Sequence, residues 1–479
     1  MTQFQRRVLI LFAVALALRL LIVVFMRDMG IGLDDMFQYD MLARSILNGD
    51  GYRWYAEPDL ALIQQYFTFD LNSVEYDTRG VLTSFRPPLY PAFLSLVYFF
   101  SGVDESRFFI ARIVQTFLNA ALAPLAYLFA RKLFPTRERI AWVAGWLIVF
   151  YPMLVIYPLA LATENLFFIL FLGTFATLAL AAESRKTGLF LLAGLFMGLT
   201  ALTRSVSLVT AGLVILWTFF ILREWRKAIY MALTVLLVIS PWIIRNSLLH
   251  QRFVGIESAM GYTLYVSFHP ESTGTFQYGI SLDLIPMLDD SQRDLLGREK
   301  GWEFIRADPV RAAVTLPIFR AGHFLGLERR ALTYFYSNNF FGYLPFPALL
   351  GASTLLLLPF VILLPSAAFG LALIRWDKKT LLMAIALLGY SLPHVVLLAE
   401  ERFHYTLVPF FAILASFCWQ GGFAALRERW QTPTGKLALL LALTAVLLMF
   451  FNWGAELNYD REKLLLLFGP EGNLAAFPY

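Results

Sequence analysis

The apolar run VLILFAVALALRLLIVVFM, residues 8–26, sets the frame for the whole chain. About 19 residues of helix are enough to cross the roughly 30 Å hydrocarbon layer of a bilayer. Arg6 and Arg7 precede the run and no small-residue cleavage site follows it, so we interpret it as a retained first membrane helix rather than a signal peptide. Its basic flank is expected to stay in the cytoplasm. The acidic pair Asp34 and Asp35, just beyond the run, then lies on the outer side.

Composition extends this interpretation to the full length. Of 479 residues, 59% are hydrophobic and 15% charged, and the mean hydropathy is +0.64. These values predict an all-α polytopic membrane protein. The net charge of +5 is small for this length and does not imply nucleic acid as a partner. The single cysteine, Cys418, lies inside an apolar run, so neither an intramolecular disulfide nor a thiolate metal site is expected.

About eleven membrane helices are predicted. Ten apolar runs follow the first, at residues 108–130, 140–157, 165–182, 188–203, 205–222, 228–244, 345–374, 381–398, 406–426 and 437–451. Basic clusters lie near residues 131–139, 185–186, 223–227, 375–379 and 427–436, and the positive-inside rule places all five in the cytoplasm. The run 87–100 has about 14 residues and three prolines at its entry, so we interpret it as an interfacial or re-entrant helix.

This topology divides the chain into four parts. Residues 1–244 form a transmembrane core that includes a large outer loop, 27–107, with juxtamembrane helices. Residues 245–342 form a second outer loop of about 100 residues, or cap. Residues 343–453 carry the last membrane helices, and 454–479 form an outer tail. The chemistry is therefore expected on the outer side of the membrane.

Carboxylates on that side are candidates for proton transfer. Asp35, Tyr39, Leu42 and Ile46 are spaced as on a helix lying along the interface, with Asp35 at its positive end. Asp34 or Asp35 is equally well explained as a helix N-cap. Glu164 lies on a short outer turn. The alternative to a role in chemistry is that it is simply the solvated first residue of a helix.

Arginines on the same side suit a phosphate. Arg204 is at the apex of two short helices, where snorkelling to lipid headgroups is the alternative. Arg245, after a span, is a second candidate with Asn246 beside it, and Arg86 and Arg402 are weaker ones. His269 and Tyr405 are assigned with Tyr39 and Asn246 to substrate binding, although a lone histidine in an aromatic loop is more often structural. Walker, dinucleotide, HExxH and nucleophile-elbow motifs are absent, which argues against hydrolysis of a cytoplasmic nucleotide.

Several motifs carry a resemblance to a known family. They are Asp35 four residues before Tyr39, then LARSILNGDGY (42–52), FRPPLYP (85–91), ARIVQ (111–115), ATENLF (162–167), GLTALTR (198–204), PWIIRN (241–246) and ERFHYTLVP (401–409). Their order and spacing resemble the GT-C type integral membrane glycosyltransferases, and within them the bacterial members related to protein O-mannosyltransferases and to the lipid A aminoarabinose transferase. The resemblance covers the first half, to about Gly274.

The resemblance implies an inverting transfer of a hexosyl or pentosyl group from a polyprenyl-phosphate donor, at the periplasmic or exterior face of a bacterial cytoplasmic membrane. Asp35 matches the acidic residue thought to deprotonate or orient the acceptor, Glu164 matches the second acidic position, and Arg204 and Arg245 match basic positions near the lipid phosphate. Met36 stands where many members carry Glu, which leaves open whether Asp34 or Asp35 is the base. The spacing to Tyr39 favours Asp35 as the base, with Asp34 as the cap or a helper. Members that use monophosphate donors generally need no metal, so no cofactor is expected.

The acceptor can be a lipid, a glycan or a protein. A transporter or flippase of a lipid-linked glycan is the alternative from another class, because it would use the same arginines without bond cleavage. Such a protein should show related halves and charges at mid-membrane. The charges here lie at the outer ends of the spans, and the sequence has no evident repeat.

Overall fold

The computed structural model describes residues 1–66, 68–71, 74–329, 332, 343–470 and 472. The end of the predicted second outer loop (330–331 and 333–342) and most of the end of the predicted tail (471 and 473–479) lie outside the described residues.

The described residues are helical, with one small sheet. The helices are α1 (Gln3–Phe25), α2 (Asp35–Leu47), α3 (Glu57–Ile63), α4 (Leu89–Ser101), α5 (Ser106–Ala120), α6 (Leu122–Leu133), α7 (Glu138–Phe150), α8 (Pro152–Ile156), α9 (Glu164–Ser184), α10 (Thr187–Thr203), α11 (Leu208–Leu216), α12 (Trp225–His250), α13 (Met260–Phe268), α14 (Tyr278–Ser281), α15 (Asp290–Ala307), α16 (Leu316–Phe324), α17 (Phe346–Leu373), α18 (Leu381–Val396), α19 (Val408–Trp430), α20 (Pro433–Tyr459) and α21 (Arg461–Leu467). Strands β1 (Arg53–Trp54) and β2 (Val81–Leu82) pair antiparallel.

The predicted all-α membrane fold is confirmed. Each of the eleven apolar runs falls on a helix or on a helix pair. Among the described residues, seven helices are long and apolar enough to cross a membrane, or eight if the bent pair formed by 138–150 and 152–159 is one span. The remaining runs are the shorter apolar helices 187–203, 205–221 and 381–396. Helix α4, in the predicted interfacial segment, has only 13 residues and packs against α2 and α5.

A buried arginine explains how the break between α7 and α8 is tolerated. Pro152 lacks an N–H, so the helix cannot run on and carbonyls near the break lose their partners. Arg19, fully buried in the middle of α1, donates hydrogen bonds to the carbonyls of Ile148, Val149 and Leu154 at 3.0–3.3 Å. The two helices meet at 55°. This bend leads the chain into the turn that carries Glu164.

Small residues let two membrane helices approach closely. Gly194 and Gly198 of α10 face α12, where a Cβ on Gly194 would meet the Met231 carbonyl oxygen at 2.9 Å and one on Gly198 would meet Val238 at 2.7 Å. This is the backbone contact that small residues four apart permit in membrane helices. The contact fixes α12, whose outer end carries Trp242, Arg245 and Asn246.

The two loops predicted to lie on the outer side pack on each other. Asp290, at the start of α15, accepts hydrogen bonds from the Thr83 hydroxyl at 2.6 Å and the Ser84 N–H at 2.7 Å. Within the second loop, Arg252, which follows α12, pairs with Asp294 at 2.8 Å. The loop from β2 to α4, which contains Arg86, is therefore held against the second outer loop.

Candidate functional site

The acidic pair at the start of α2 is divided between two roles. Asp34 is the N-cap, and its carboxylate accepts a hydrogen bond from the Met36 N–H at 2.9 Å. Asp35 is the first residue inside the helix, so its carboxylate does not serve as the cap. The geometry therefore leaves Asp35 available for contacts outside its own helix.

Both oxygens of Asp35 contact arginines. Oδ1 accepts a short hydrogen bond from Arg86, and Oδ2 lies 3.4 Å from Nη2 of Arg402. Arg86 also donates to Oε1 of Gln38 at 2.8 Å. Burial raises the pKa of Asp35, but the charges and hydrogen bonds of Arg86 and Arg402 outweigh it and lower the pKa to about 2. Asp35 is thus a carboxylate anion held between two guanidinium groups.

A second pair lies next to the first. Oε1 of Glu164, the first residue of α9, is 2.5 Å from Nη1 of Arg204, and Thr163 donates its hydroxyl to Oε2 at 3.1 Å. The ring of Phe403 connects the two pairs, because the guanidinium carbons of Arg204 and Arg402 lie 4.7 and 5.7 Å from its centroid. Arg402 also pairs with Glu400 at 2.8 Å. Three arginines and three carboxylates therefore alternate across a small area.

These groups line a cavity of about 3930 Å³. Its wall includes Tyr39, Tyr405 and Asp34 in addition to the two acid–arginine pairs. Tyr39 packs edge-on against Tyr90 at 5.3 Å, and burial raises its pKa to about 12, so its hydroxyl stays protonated. Aliphatic and aromatic side chains from α1, α8, α17 and α20 line a further part of it, among them Ile22, Ile156, Leu355 and Leu448. The site thus joins a polar end to an apolar volume.

The other predicted site residues do not line this cavity. Arg245 donates to the carbonyl of Thr83 at 2.6 Å and lies over the ring of Trp242 at 4.9 Å. Asn246 is fully buried, and its amide donates to the carbonyls of Gly255 and Ile256 at 3.0 and 3.1 Å. His269 packs against Phe304 at 5.4 Å. In this structure Arg245 joins the two loops, whereas Asn246 and His269 make contacts within the second loop.

Sequence reasoning missed several polar residues of the cavity, among them Gln38, Glu257 and Glu400. Glu257 accepts a short hydrogen bond from the Ser205 hydroxyl, next to Arg204. Gln38 lies one helical turn after Asp34, so its spacing in the sequence indicates that the two share a face of the helix. Glu257 had no such signal, because it stands alone in a loop.

A metal site is not evident in the described part of the chain, where no three His, Cys, Asp or Glu side chains are grouped as ligands. Asp35 and Glu164 are instead occupied by arginines. The expectation that no metal is required stays a prediction.

Comparison with known proteins supports the fold. The chain is similar to the crystal structure of the Archaeoglobus fulgidus oligosaccharyltransferase in the apo form, with a TM-score of 0.50 and 15% identity. The match covers 99% of this chain and 60% of that one, so the chain spans about three fifths of that protein's length. The expected GT-C fold is thereby confirmed.

A second solved structure is that of ArnT from Cupriavidus metallidurans bound to undecaprenyl phosphate, with a TM-score of 0.40 and 13% identity over 88% of this chain and 80% of that one. No protein-family model and no curated protein sequence matches this chain.

Proposed function

We propose that the protein is an inverting glycosyltransferase that moves a sugar from a polyprenyl-phosphate donor to an acceptor at the outer face of a bacterial cytoplasmic membrane. The observation that carries the proposal is the meeting of Asp35, Arg86, Arg402, Glu164 and Arg204 in one cavity with apolar walls. Its GT-C fold is consistent with this chemistry. The sugar is a hexose or pentose, and the acceptor a lipid, glycan or protein.

The arginines suit the leaving group. A guanidinium binds phosphate oxygens in a two-pronged, charge-assisted contact. In the transfer, the acceptor hydroxyl gives its proton to a carboxylate of the site, and its oxygen forms a bond to the anomeric carbon while the bond from that carbon to the phosphate oxygen breaks. The electron pair leaves with polyprenyl phosphate, whose negative charge Arg86, Arg204 and Arg402 stabilise. No resident metal is needed for this charge balance.

The apolar walls suit the polyprenyl chain. Several side chains that line the cavity from the long apolar helices α1, α17 and α20 are also exposed at the molecular surface. They include Leu21, Phe25, Leu355, Leu448 and Phe451. A lipid tail can therefore lie partly in the cavity and partly in the bilayer, and each methylene it buries contributes about 0.8 kcal/mol. Surrounding membrane lipids are the other partners on this surface.

The proposal is tested with the purified protein in lipid nanodiscs. The donors are polyprenyl phosphates that carry different labelled sugars, the acceptor source is a cell-envelope extract, and released polyprenyl phosphate is measured. We expect release with at least one donor and a fall of about 100-fold or more in Asp35→Asn, because the two arginines lose the anion that orients them. Asp28→Asn, at an exposed carboxylate that pairs with its neighbour Arg27, is the matched control.

The outcome separates the proposal from lipid transport. A flippase would move the labelled donor between leaflets and leave the sugar–phosphate bond intact. Movement of the donor without any release of polyprenyl phosphate would overturn the glycosyltransferase proposal, and so would an Asp35→Asn protein that works at the wild-type rate.

A further inference from the structure

The cavity holds one carboxylate in a setting unlike the others. Eight carboxylate side chains line it in the described part of the chain. Six lie within 4 Å of an arginine nitrogen: Asp35, Glu164, Glu400, Glu401, Glu456 and Asp460. Asp34 forms no ion pair with a described residue either, but its Oδ1 accepts the Met36 N–H as the N-cap of α2. The remaining one is Glu257, which forms no ion pair with any described residue.

The contacts of Glu257 leave one oxygen available. Oε1 accepts the hydrogen bond from the neutral Ser205 hydroxyl. No described side chain or backbone group donates to Oε2. By contrast, Asp35 has a guanidinium on each oxygen, and Glu164 has Arg204 on one oxygen and Thr163 on the other. A proton can therefore reach Glu257 without displacing a cation.

The backbone around Glu257 is fixed on both sides. Before it, the Asn246 amide holds the Gly255 and Ile256 carbonyls, and the Trp242 indole donates to Ile256 at 2.9 Å. After it, the Ser258 N–H donates to the Ser84 carbonyl at 2.9 Å. Such clamps hold a side chain in a defined place, as a catalytic group requires.

The clamps also link Glu257 to the arginine site. Ser84 lies two residues before Arg86, and Arg245 fixes the Thr83 carbonyl beside it at 2.6 Å. Ser205 directly follows Arg204. The segments that place the phosphate-directed arginines therefore also place Glu257.

We propose that Glu257 is the general base that takes the proton from the acceptor hydroxyl, and that Asp35 instead holds the arginines in place. This inference rests on the proposed glycosyl transfer. As the acceptor O–H bond breaks, its proton passes to Oε2 of Glu257 and its electron pair forms the new bond to the anomeric carbon. The old bond from that carbon to the phosphate oxygen breaks, and polyprenyl phosphate leaves as the anion beside the arginines.

The pKa shifts of the two carboxylates agree with Glu257 as the base and Asp35 as the group that holds the arginines. Burial raises the pKa of Glu257 above its ordinary value, against the lowering effects of the Ser205 hydrogen bond and of the nearby charges of Arg86 and Arg204. Tyr52 is a further titratable group that interacts with it. A base is most effective when its pKa approaches the working pH, whereas Asp35 with a pKa of about 2 is a weak base.

The test compares the pH dependence of turnover in matched variants, in nanodiscs and with the donor that the wild-type protein uses. General-base catalysis by Glu257 predicts that the wild-type rate rises with pH through the pKa of Glu257 and then stays level. Glu257→Gln keeps the size and the Ser205 contact, and should lower the level rate about 100-fold or more and remove the rise. Asp35→Asn should lower the rate but keep the rise.

Ser205→Ala provides a second readout that folding defects do not mimic. Loss of the hydroxyl removes a hydrogen bond to the ionised carboxylate, so the pKa of Glu257 should go up and the rise should move to higher pH, while the level rate is largely kept. Glu271→Gln, at an exposed glutamate in the same outer loop and outside the cavity, should match wild type.

The outcomes are distinguishable. If wild-type protein releases no polyprenyl phosphate, the proposed function and this inference fall together. If wild-type protein is active and Glu257→Gln equals it, or if the rise with pH persists in Glu257→Gln and disappears in Asp35→Asn, the inference alone is overturned.

Discussion

Arg402 is the residue on which the charges of the site converge. It contacts Asp35 at 3.4 Å and Glu400 at 2.8 Å, and its guanidinium shares the ring of Phe403 with Arg204. A planar guanidinium can bridge two carboxylates and stack on a ring at once, whereas a lysine ammonium is a single point of charge. The geometry at this position thus depends on the shape of the cation as well as on its charge.

Replacement of Arg402 by lysine tests this dependence. The variant keeps the charge but loses the bridging contact, so we expect about a tenfold to hundredfold rise in KM for the polyprenyl-phosphate donor. That range corresponds to one charge-assisted hydrogen bond of about 1.5–3 kcal/mol. Arg375→Lys is the control, since the Arg375 side chain is 87% exposed. An unchanged donor KM in Arg402→Lys would show that Arg402 does not bind the donor phosphate.

At the scale of elements, helix α12 links the membrane part to the outer loops. Its N-terminal half packs on the small residues of α10. Its C-terminal end places Trp242, Arg245 and Asn246 against the first loop and the segment 255–256. The sequence predicted a phosphate or substrate role for Arg245 and Asn246. In the structure α12 continues to His250, so these side chains point at loop carbonyls rather than into the cavity.

Asn246→Ala measures what this link contributes. The Gly255 carbonyl loses its hydrogen bond, so we expect the free energy of unfolding to fall by about 1–3 kcal/mol. Thermal unfolding in detergent measures this change. Because Glu257 is then held less firmly in place, kcat should fall by up to about 100-fold. Leu248→Ala, at a position of α12 that is 74% exposed, should change neither quantity. Normal stability and normal kcat in Asn246→Ala would contradict the clamp.

The whole molecule shows what the sequence could predict. Apolar runs and basic clusters are local signals, and every predicted run is helical. The spacing from Asp35 to Tyr39 favoured Asp35 over Asp34 for chemistry, and Asp34 is indeed the cap. The meeting of Asp35 with Arg402, 367 residues away, depends on how the helices pack, and no local pattern encodes it. Glu257 was missed for the same reason.

The size of the cavity leads to a prediction about donor length. If the apolar wall of α17 holds the polyprenyl chain, Ala352→Trp should obstruct the chain and leave the arginine site intact. The KM for a long-chain polyprenyl-phosphate sugar should then rise about tenfold or more, because the loss of two buried methylenes already costs about 1.6 kcal/mol. The KM for a short-chain prenyl analogue should stay at its wild-type value. Gly351→Trp is the matched control, since a Cβ there meets nothing within 4 Å and the residue does not line the cavity. Equal effects of Ala352→Trp on the two donors would place the chain elsewhere, whereas an effect confined to the long donor would assign this wall to the lipid tail.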